Sequence, residues 1–412
     1  MKTVGIIAEY NPFHNGHAYH LSMAKQLTGA DYCIVIMSGN FVQRGAPAII
    51  DKYTRAQAAL ENGADLVLEL PVYYATSSAE YFASGAVALL DKLGITDTLC
   101  FGSECGDIEL LSELAEALLV ETPQFKKVLK QKMKEGSSYP QARNHALSVT
   151  SPHLTEAIDV LQTPNNILGL EYIKAIKRRK SRIQPYTLNR LGAGYHAANL
   201  ETSYSSALAI RESISRKEDI RHIKEQVPSA FYDMMEESFG HTFPILPNDL
   251  SALLSYKLLL ERHQGYISYL DVDSSFSERL IRLLPSFTDY ISFCELLKTK
   301  NMTYTRVSRN FLHILLNIYQ KDMDSFCKAD YIYYAKMLGF KKEAEPLLSS
   351  IKEHSEVPLL SKLADANDII SHDNGQKMLD ADIRAGQIYS LLVQQKFGGL
   401  LQNEYRRRII VM

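Results

Sequence analysis

The chain has 412 residues, 46% hydrophobic and 22% charged, with a formal net charge of -2. This describes a soluble globular protein long enough for two domains, and it excludes a globally basic polyanion binder, so any nucleic-acid surface has to be local. Five cysteines without a CxxC pair argue against a disulfide framework or a zinc site, and no apolar run reaches membrane-spanning length, which points to a cytoplasmic protein with no membrane partner.

In chain order, Thr3 to Glu9 is a short apolar, β-branched run that predicts a buried strand, with a helix over His17 to Leu27 after it. Tyr32 to Ser38 predicts a second strand, and Asp51 to Asn62 a helix stopped by Gly63. Asp65 to Leu70 is a third strand ended by Pro71, Ser77 to Leu93 a helix stopped by Gly94, and Thr98 to Phe101 a fourth strand. Residues 107 to 135 read as helices, and Thr163-Pro164-Asn165-Asn166 opens another over Ile167 to Ile176. A fifth strand is expected near Ile183 to Leu188 and a helix over Ser206 to Ile214. Apolar strands alternating with helices predict an α/β fold, a Rossmann-like parallel sheet covered on both faces.

Beyond about residue 216 helical periodicity dominates and convincing parallel strands disappear. The cluster of Pro228, Gly240, Pro244 and Pro247 places a boundary between about 215 and 245. The expected organisation is a catalytic domain over residues 1–220 and a mainly α-helical domain over residues 221–412.

His14 and His17 sit directly after the first strand and open the first helix. In an open parallel sheet, ligands bind at the carboxyl ends of strands, where free helix N–H groups favour phosphate. Gly16 keeps a side chain out of that turn, and two imidazoles three residues apart can both donate to charge that grows as pyrophosphate leaves. A lone HxxH pair is more often ordinary, but the strand–Gly–helix setting reverses those odds. A zinc reading of His14, His17 and His20 finds no further ligand, so no metal site is assigned.

The run NPFHNGH resembles the signature of the HxGH nucleotidyltransferase superfamily, and IIAEYNPFHNGHAYHL resembles one family in it, the bacterial tRNA(Met) cytidine acetate ligases. SGNFVQRGAPAIIDKYTRAQAAL, GADLVLELP, FGSE, PNNILGLEY, RLGAGYH and SALAIR follow in that family's order, with TYTRVSR (303–309) and ADIRAGQIYSLL (381–392) further on. The resemblance implies an enzyme that uses ATP to activate acetate as acetyl-adenylate. It then acetylates the exocyclic amine of the wobble cytidine in elongator tRNA(Met), giving N4-acetylcytidine.

It also implies residue roles. Ile7, Ala8, Glu9, Asn11 and Phe13 would line the nucleotide, and His14, Gly16 and His17 would hold the phosphates as the catalytic centre. His20 falls in the same ATP-binding set. Gly102 would let adenosine pack on backbone, or is a plain turn glycine; Asn165 would cap a helix or contact ATP; Arg190 would meet ATP. Mg2+ beside ATP is left open, as is the oligomeric state.

Two departures from the wider superfamily stand out. Its SSTxIR motif is SALAIR here, so Ser206 and Arg211 survive while Ala207 and Leu208 replace hydroxyls, and the basic residue expected after the second strand is displaced to Arg44, which either substitutes or makes a surface ion pair. For RNA, Lys177, Arg178, Arg179, Lys180 and Arg182 form a dense cluster expected near the catalytic face. Arg306 and Arg309 lie in the helical domain, and Arg406, Arg407 and Arg408 near the end. Tyr195 and His196 are candidates to orient the acetyl group or the cytosine, and Glu9 and Asp51 are positional candidates for a base. The alternative function is a small-molecule adenylyltransferase of cofactor biosynthesis, which would need no RNA.

Overall fold

A computed structural model describes residues 1–190, 205–216 and 219–412. Five strands form its parallel centre: β1 (Thr3–Ala8), β2 (Tyr32–Ser38), β3 (Leu66–Leu70), β4 (Thr98–Ser103) and β5 (Gln184–Asn189). They lie in the order β3-β2-β1-β4-β5, so the chain reverses its direction of travel between β1 and β4. That reversal opens a crevice at the carboxyl ends of β1 and β4.

β1 to β4 read as largely apolar runs because both faces are covered, whereas the outer strand β5 is the more polar and half-exposed QPYTLN. Ile34, Ile36, Leu66, Leu68, Leu99 and Phe101 face one core cluster, and Val4, Ile6, Cys33, Val35, Met37 and Val67 the other. The second face carries α1 (Asn15–Thr28) and α2 (Lys52–Glu61). The first carries α3 (Ala79–Lys92), α4 (Ile108–Leu119) and α5 (Pro164–Arg179), and α6 (Ala207–Arg216) returns to the second. Gly169 lets α5 settle on the sheet: a Cβ there would stand 2.5 Å from Cε2 of Phe101.

The second half is mainly helical, but three of its segments extend the same sheet. β6 (Ala335–Phe340) pairs antiparallel with β3, and β7 (Leu359–Leu360) and β8 (Ile410–Val411) pair parallel with β6. The sequence pattern hid them. Lys336 interrupts the six-residue run of β6, and its charge is tolerated at 3% exposure only because Glu69 and Glu404 meet it.

Among the helices of this half, α7 (Tyr304–Leu315) packs on the 41–50 segment of the first half. Ser308 Oγ and Tyr290 Oη both donate to the Gly45 carbonyl at 2.7 Å. Gly45 has φ of 81°, and a Cβ there would stand 2.4 Å from the Arg309 nitrogen. TYTRVSR is thus a docking face: Thr303 caps α7, and Arg306 and Arg309 pair with Asp271.

Candidate active site

At the end of β1 the backbone turns sharply. Tyr10 sits in the left-handed region with φ of 49°, and the chain then enters α1. Arg55 of α2, fully buried, holds this turn. Its guanidinium donates to the carbonyls of Glu9 (2.6 Å), Ser38 (3.1 Å), Gly39 and Ile50 (3.0 Å), tying together the carboxyl ends of β1 and β2. The Asn11 side-chain carbonyl accepts from Ile49 N–H at 2.8 Å, and the Asn11 backbone carbonyl accepts from Arg211 of α6.

On this frame His14 is the N-cap of α1. Its Nδ1 accepts from Gly16 N–H at 3.1 Å, and Nδ1 of His17 accepts from His14 N–H at 3.3 Å. The two rings stack with centroids 3.7 Å apart. With both Nδ1 atoms accepting, the ring proton of each neutral imidazole sits on Nε2, where it can be donated outward. Burial, then Arg190 and Arg211, hold the His14 pKa down to about 3. Burial, then His14, Arg190 and His20, lower that of His17 too, and burial and Arg190 put His20 at about 4. The centre therefore works as neutral hydrogen-bond donors.

Gly16 has a role the sequence alone did not show. A Cβ there would stand 2.9 Å from Cε1 of His14, so the glycine makes room for that ring as well as for a ligand.

These groups face an open pocket of about 1100 Å³. Of the sequence-selected residues, Ile7, Ala8, Glu9, Asn11, His14, His17, His20, Gly102, Asn165 and Arg190 line it. Gly16 lines an adjoining hollow that shares His14, His17, His20, Gly102 and Arg190. Phe13 lines neither; it is fully buried beneath the site, packed on Tyr10, His17 and Phe231, because the turn after Tyr10 points its ring into the core.

Ser206 caps α6 through its side chain, accepting from Ala209 N–H at 3.1 Å. Ser206, Ala207, Leu208 and Arg211 all line the pocket, so the α6 N-terminus offers backbone donors where hydroxyls are lacking. Arg44 lines it as well. Asn165 stands at the start of α5, beside Glu104, which closes the quoted FGSE run without a role assigned from sequence. Glu104 accepts from the backbone N–H and side-chain amide of Asn165 and from Asn166 N–H, occupying that helix terminus. Asn166 replies by accepting from Glu104 N–H at 2.9 Å. These partners lie some sixty residues apart, so no local pattern announces them.

Phe82, Phe101, Leu168 and Tyr172 also line the pocket. In the sequence they read as core positions at helix or strand spacing; Phe101 opens the quoted FGSE and Leu168 and Tyr172 lie in PNNILGLEY, while Phe82 lies outside the quoted motifs.

The basic residues are arranged otherwise than expected. The run 177–182 starts in the last turn of α5, whose first turn is at the pocket, so about 20 Å of helix separates Asn165 from Arg178. Lys177 pairs with Glu116, Arg178 with Glu80 at 2.7 Å, and Arg179 with Asp91 at 3.0 Å and with Asp330. Arg182 donates to the Gly94 carbonyl, and Lys180 is exposed. The cluster is therefore not beside the catalytic face, because a helix carries its two ends to opposite edges of the sheet. Arg306 and Arg309 share Asp271, and Asp51 caps α2 and lines a separate cleft with Glu404 and Arg407. Tyr195 and His196 lie outside the described residues.

A Rossmann-type sheet whose switch point presents stacked, neutral imidazoles to a pocket lined by Arg44, Arg190 and Arg211 defines the nucleotidyl-transferring class, and the HIGH Nucleotidyl Transferase family model matches residues 1–403. A tRNA(Met) cytidine acetate ligase of Acetivibrio thermocellus is 38% identical over 100% of both chains, and one of Caldanaerobacter subterraneus 41% identical over 95% of each. Within the class, the chain belongs to the family of these tRNA(Met) cytidine acetate ligases. Among solved structures, apo Thermotoga maritima TmcAL superposes with a TM-score of 0.93 at 31% identity over 100% of both chains. The same protein bound with alpha-thio ATP gives 0.91 at 30% identity, over 100% of this chain and 99% of that one. Among the described residues no helix is long and apolar enough to cross a membrane.

Proposed function

We propose that this chain is an ATP-dependent ligase that joins acetate to ATP's α-phosphate as acetyl-adenylate and transfers the acetyl group to the wobble cytidine of elongator tRNA(Met). The observation that carries this reading is the stacked His14–His17 pair with both Nδ1 atoms tied to backbone N–H groups, set at the switch point of a chain similar along its whole length to enzymes of that name. The cytidine amine is amide-like and a weak nucleophile, so it needs a mixed anhydride rather than free acetate. Nε2–H of His14 and His17, with the α6 N-terminus and Arg211, would bind the phosphates and the charge that develops as pyrophosphate leaves. Gly102, Asn165 and Arg190 would hold the nucleoside.

The helical half, residues 221–412, is the RNA-binding part in this reading. Lys177 to Arg182, at the far end of α5, would contact the RNA backbone away from the pocket. The test is incubation of purified protein with ATP, labelled acetate and tRNA(Met), followed by nucleoside mass analysis. Label in N4-acetylcytidine, with pyrophosphate release dependent on acetate, is the expected result. Turnover of a phosphate ester with ATP and no use of RNA would instead favour a small-molecule adenylyltransferase.

A further inference from the structure

The pocket has two unlike sides. One is cationic and rich in donors, with Arg44, Arg211, the histidine pair and the α6 N-terminus. The other is an apolar wall of Phe82, Phe101, Leu168 and Tyr172 from α3, β4 and α5. Among the described residues lining the pocket there is one carboxylate, that of Glu9. It is held at both ends: Arg55 donates to its backbone carbonyl at 2.6 Å, and Gln43 N–H donates to its Oε1 at 2.9 Å. Among the described residues Oε2 accepts no hydrogen bond, so it is the oxygen open to a ligand.

A fixed negative charge works against a pocket built for polyphosphate; Arg55 and Arg211 lie within its field, but among the described residues neither forms an ion pair with it, which leaves the carboxylate to a proton-donating ligand group. A carboxylate is the acceptor that matches the exocyclic amine of cytosine, and apolar or aromatic side chains match the faces of an unstacked base. The other acidic candidates are used elsewhere: Glu104 caps α5, and Asp51 caps α2 beside a different cleft.

We propose that Glu9 is the general base of acetyl transfer and that, with the Phe82–Phe101–Leu168–Tyr172 wall, it forms the subsite for the acceptor cytosine. This rests on the ligase reading above. The N4 lone pair attacks the carbonyl carbon of acetyl-adenylate and forms the N–C bond. The C–O bond to the phosphate breaks with its electron pair, releasing AMP. One N4 proton passes to Oε2 of Glu9 and from there to water.

The test separates this step from activation by supplying chemically prepared acetyl-adenylate to the full-length chain with tRNA(Met), in single-turnover reactions read by nucleoside mass analysis. Glu9→Gln is expected to slow transfer by about 10²–10³-fold while the adenylate's Kd stays within about threefold, with Glu9→Asp recovering part of the rate. Transfer by Glu9→Gln within about fivefold of the parent rate would overturn the proposal. So would a loss of adenylate affinity as large as the loss of rate, which would make Glu9 a nucleotide ligand. Phe82→Ala is expected to raise the KM for tRNA more than that for ATP; an equal rise in both would count against the wall. If the parent chain itself transfers nothing from acetyl-adenylate, the ligase reading fails and not merely the role of Glu9.

Discussion

The two imidazoles are effective because their surroundings leave them one protonation state and one tautomer. In the proposed mechanism His14 and His17 each give an Nε2–H to the departing pyrophosphate, so replacing either by alanine should lower acetate-dependent pyrophosphate release about 10²–10³-fold, measured under saturating ATP. A fall of less than threefold would place the chemistry elsewhere. Gly16→Ala tests the same geometry from a residue that carries no chemistry. Its Cβ would crowd the His14 ring at 2.9 Å, so activity should drop well before stability does, with the thermal midpoint as control. The motif's identity was legible in the sequence, since strand, glycine and helix stand side by side. The tautomer was not, because it depends on hydrogen-bond directions that only folded coordinates supply. Phe13 shows the opposite case: it lies within the motif, yet the turn at Tyr10 sends it to the core.

At the scale of elements, the five parallel strands and their helices could be read directly, because the largely apolar runs of β1 to β4 alternate with helix-spaced segments punctuated by Gly63, Pro71, Gly94 and Gly102, and β5 follows the α5 helix in the same alternation. What failed to show is whatever depends on long-range neutralisation or packing. β6 was hidden by Lys336, and the α5 terminus gave no sign that Glu104 already fills it. Arg55 belongs to the same category: in sequence it is one cation on a helix, but in the fold its guanidinium joins four carbonyls at the ends of β1 and β2 and in the following segment. Arg55→Met should cost about 3–5 kcal/mol by stranding these carbonyls, read from urea midpoints. Hydrogen exchange should rise first across residues 39–50. A variant as stable as the parent, with unchanged exchange there, would show that the buckle is dispensable.

Across the whole molecule, the two halves meet in a buried four-charge cluster. Lys52 and Glu69 come from the catalytic half, Lys336 from β6 and Glu404 from the segment before β8, with lysine–carboxylate distances of 2.8 to 3.2 Å. Two ammonium groups only 1% and 4% exposed need both carboxylates. Burial alone would raise the Glu404 pKa, but Lys52 and Lys336 outweigh it and bring it to about 2, against an ordinary 4.5. Between those values the unfolded chain binds a proton that the folded chain does not, so this stabilisation is complete above about pH 4.5 and is lost as pH falls toward 2. His14 acts over a higher window. Its folded value of about 3 against an ordinary 6.5 makes stability decline below pH 6.5, by about 1.4 kcal/mol per pH unit for a buried imidazole. Urea titrations should therefore give midpoints that start falling near pH 6 and fall more steeply below 4.5. Glu404→Gln should lower stability at pH 7 by about 3–5 kcal/mol, since it leaves two buried lysines facing Glu69 alone, and should remove the added steepness below 4.5 while leaving the upper limb in place. A variant that keeps the steep lower limb, or that is as stable as the parent at neutral pH, would mean that the C-terminal segment is not held to the sheet by these charges.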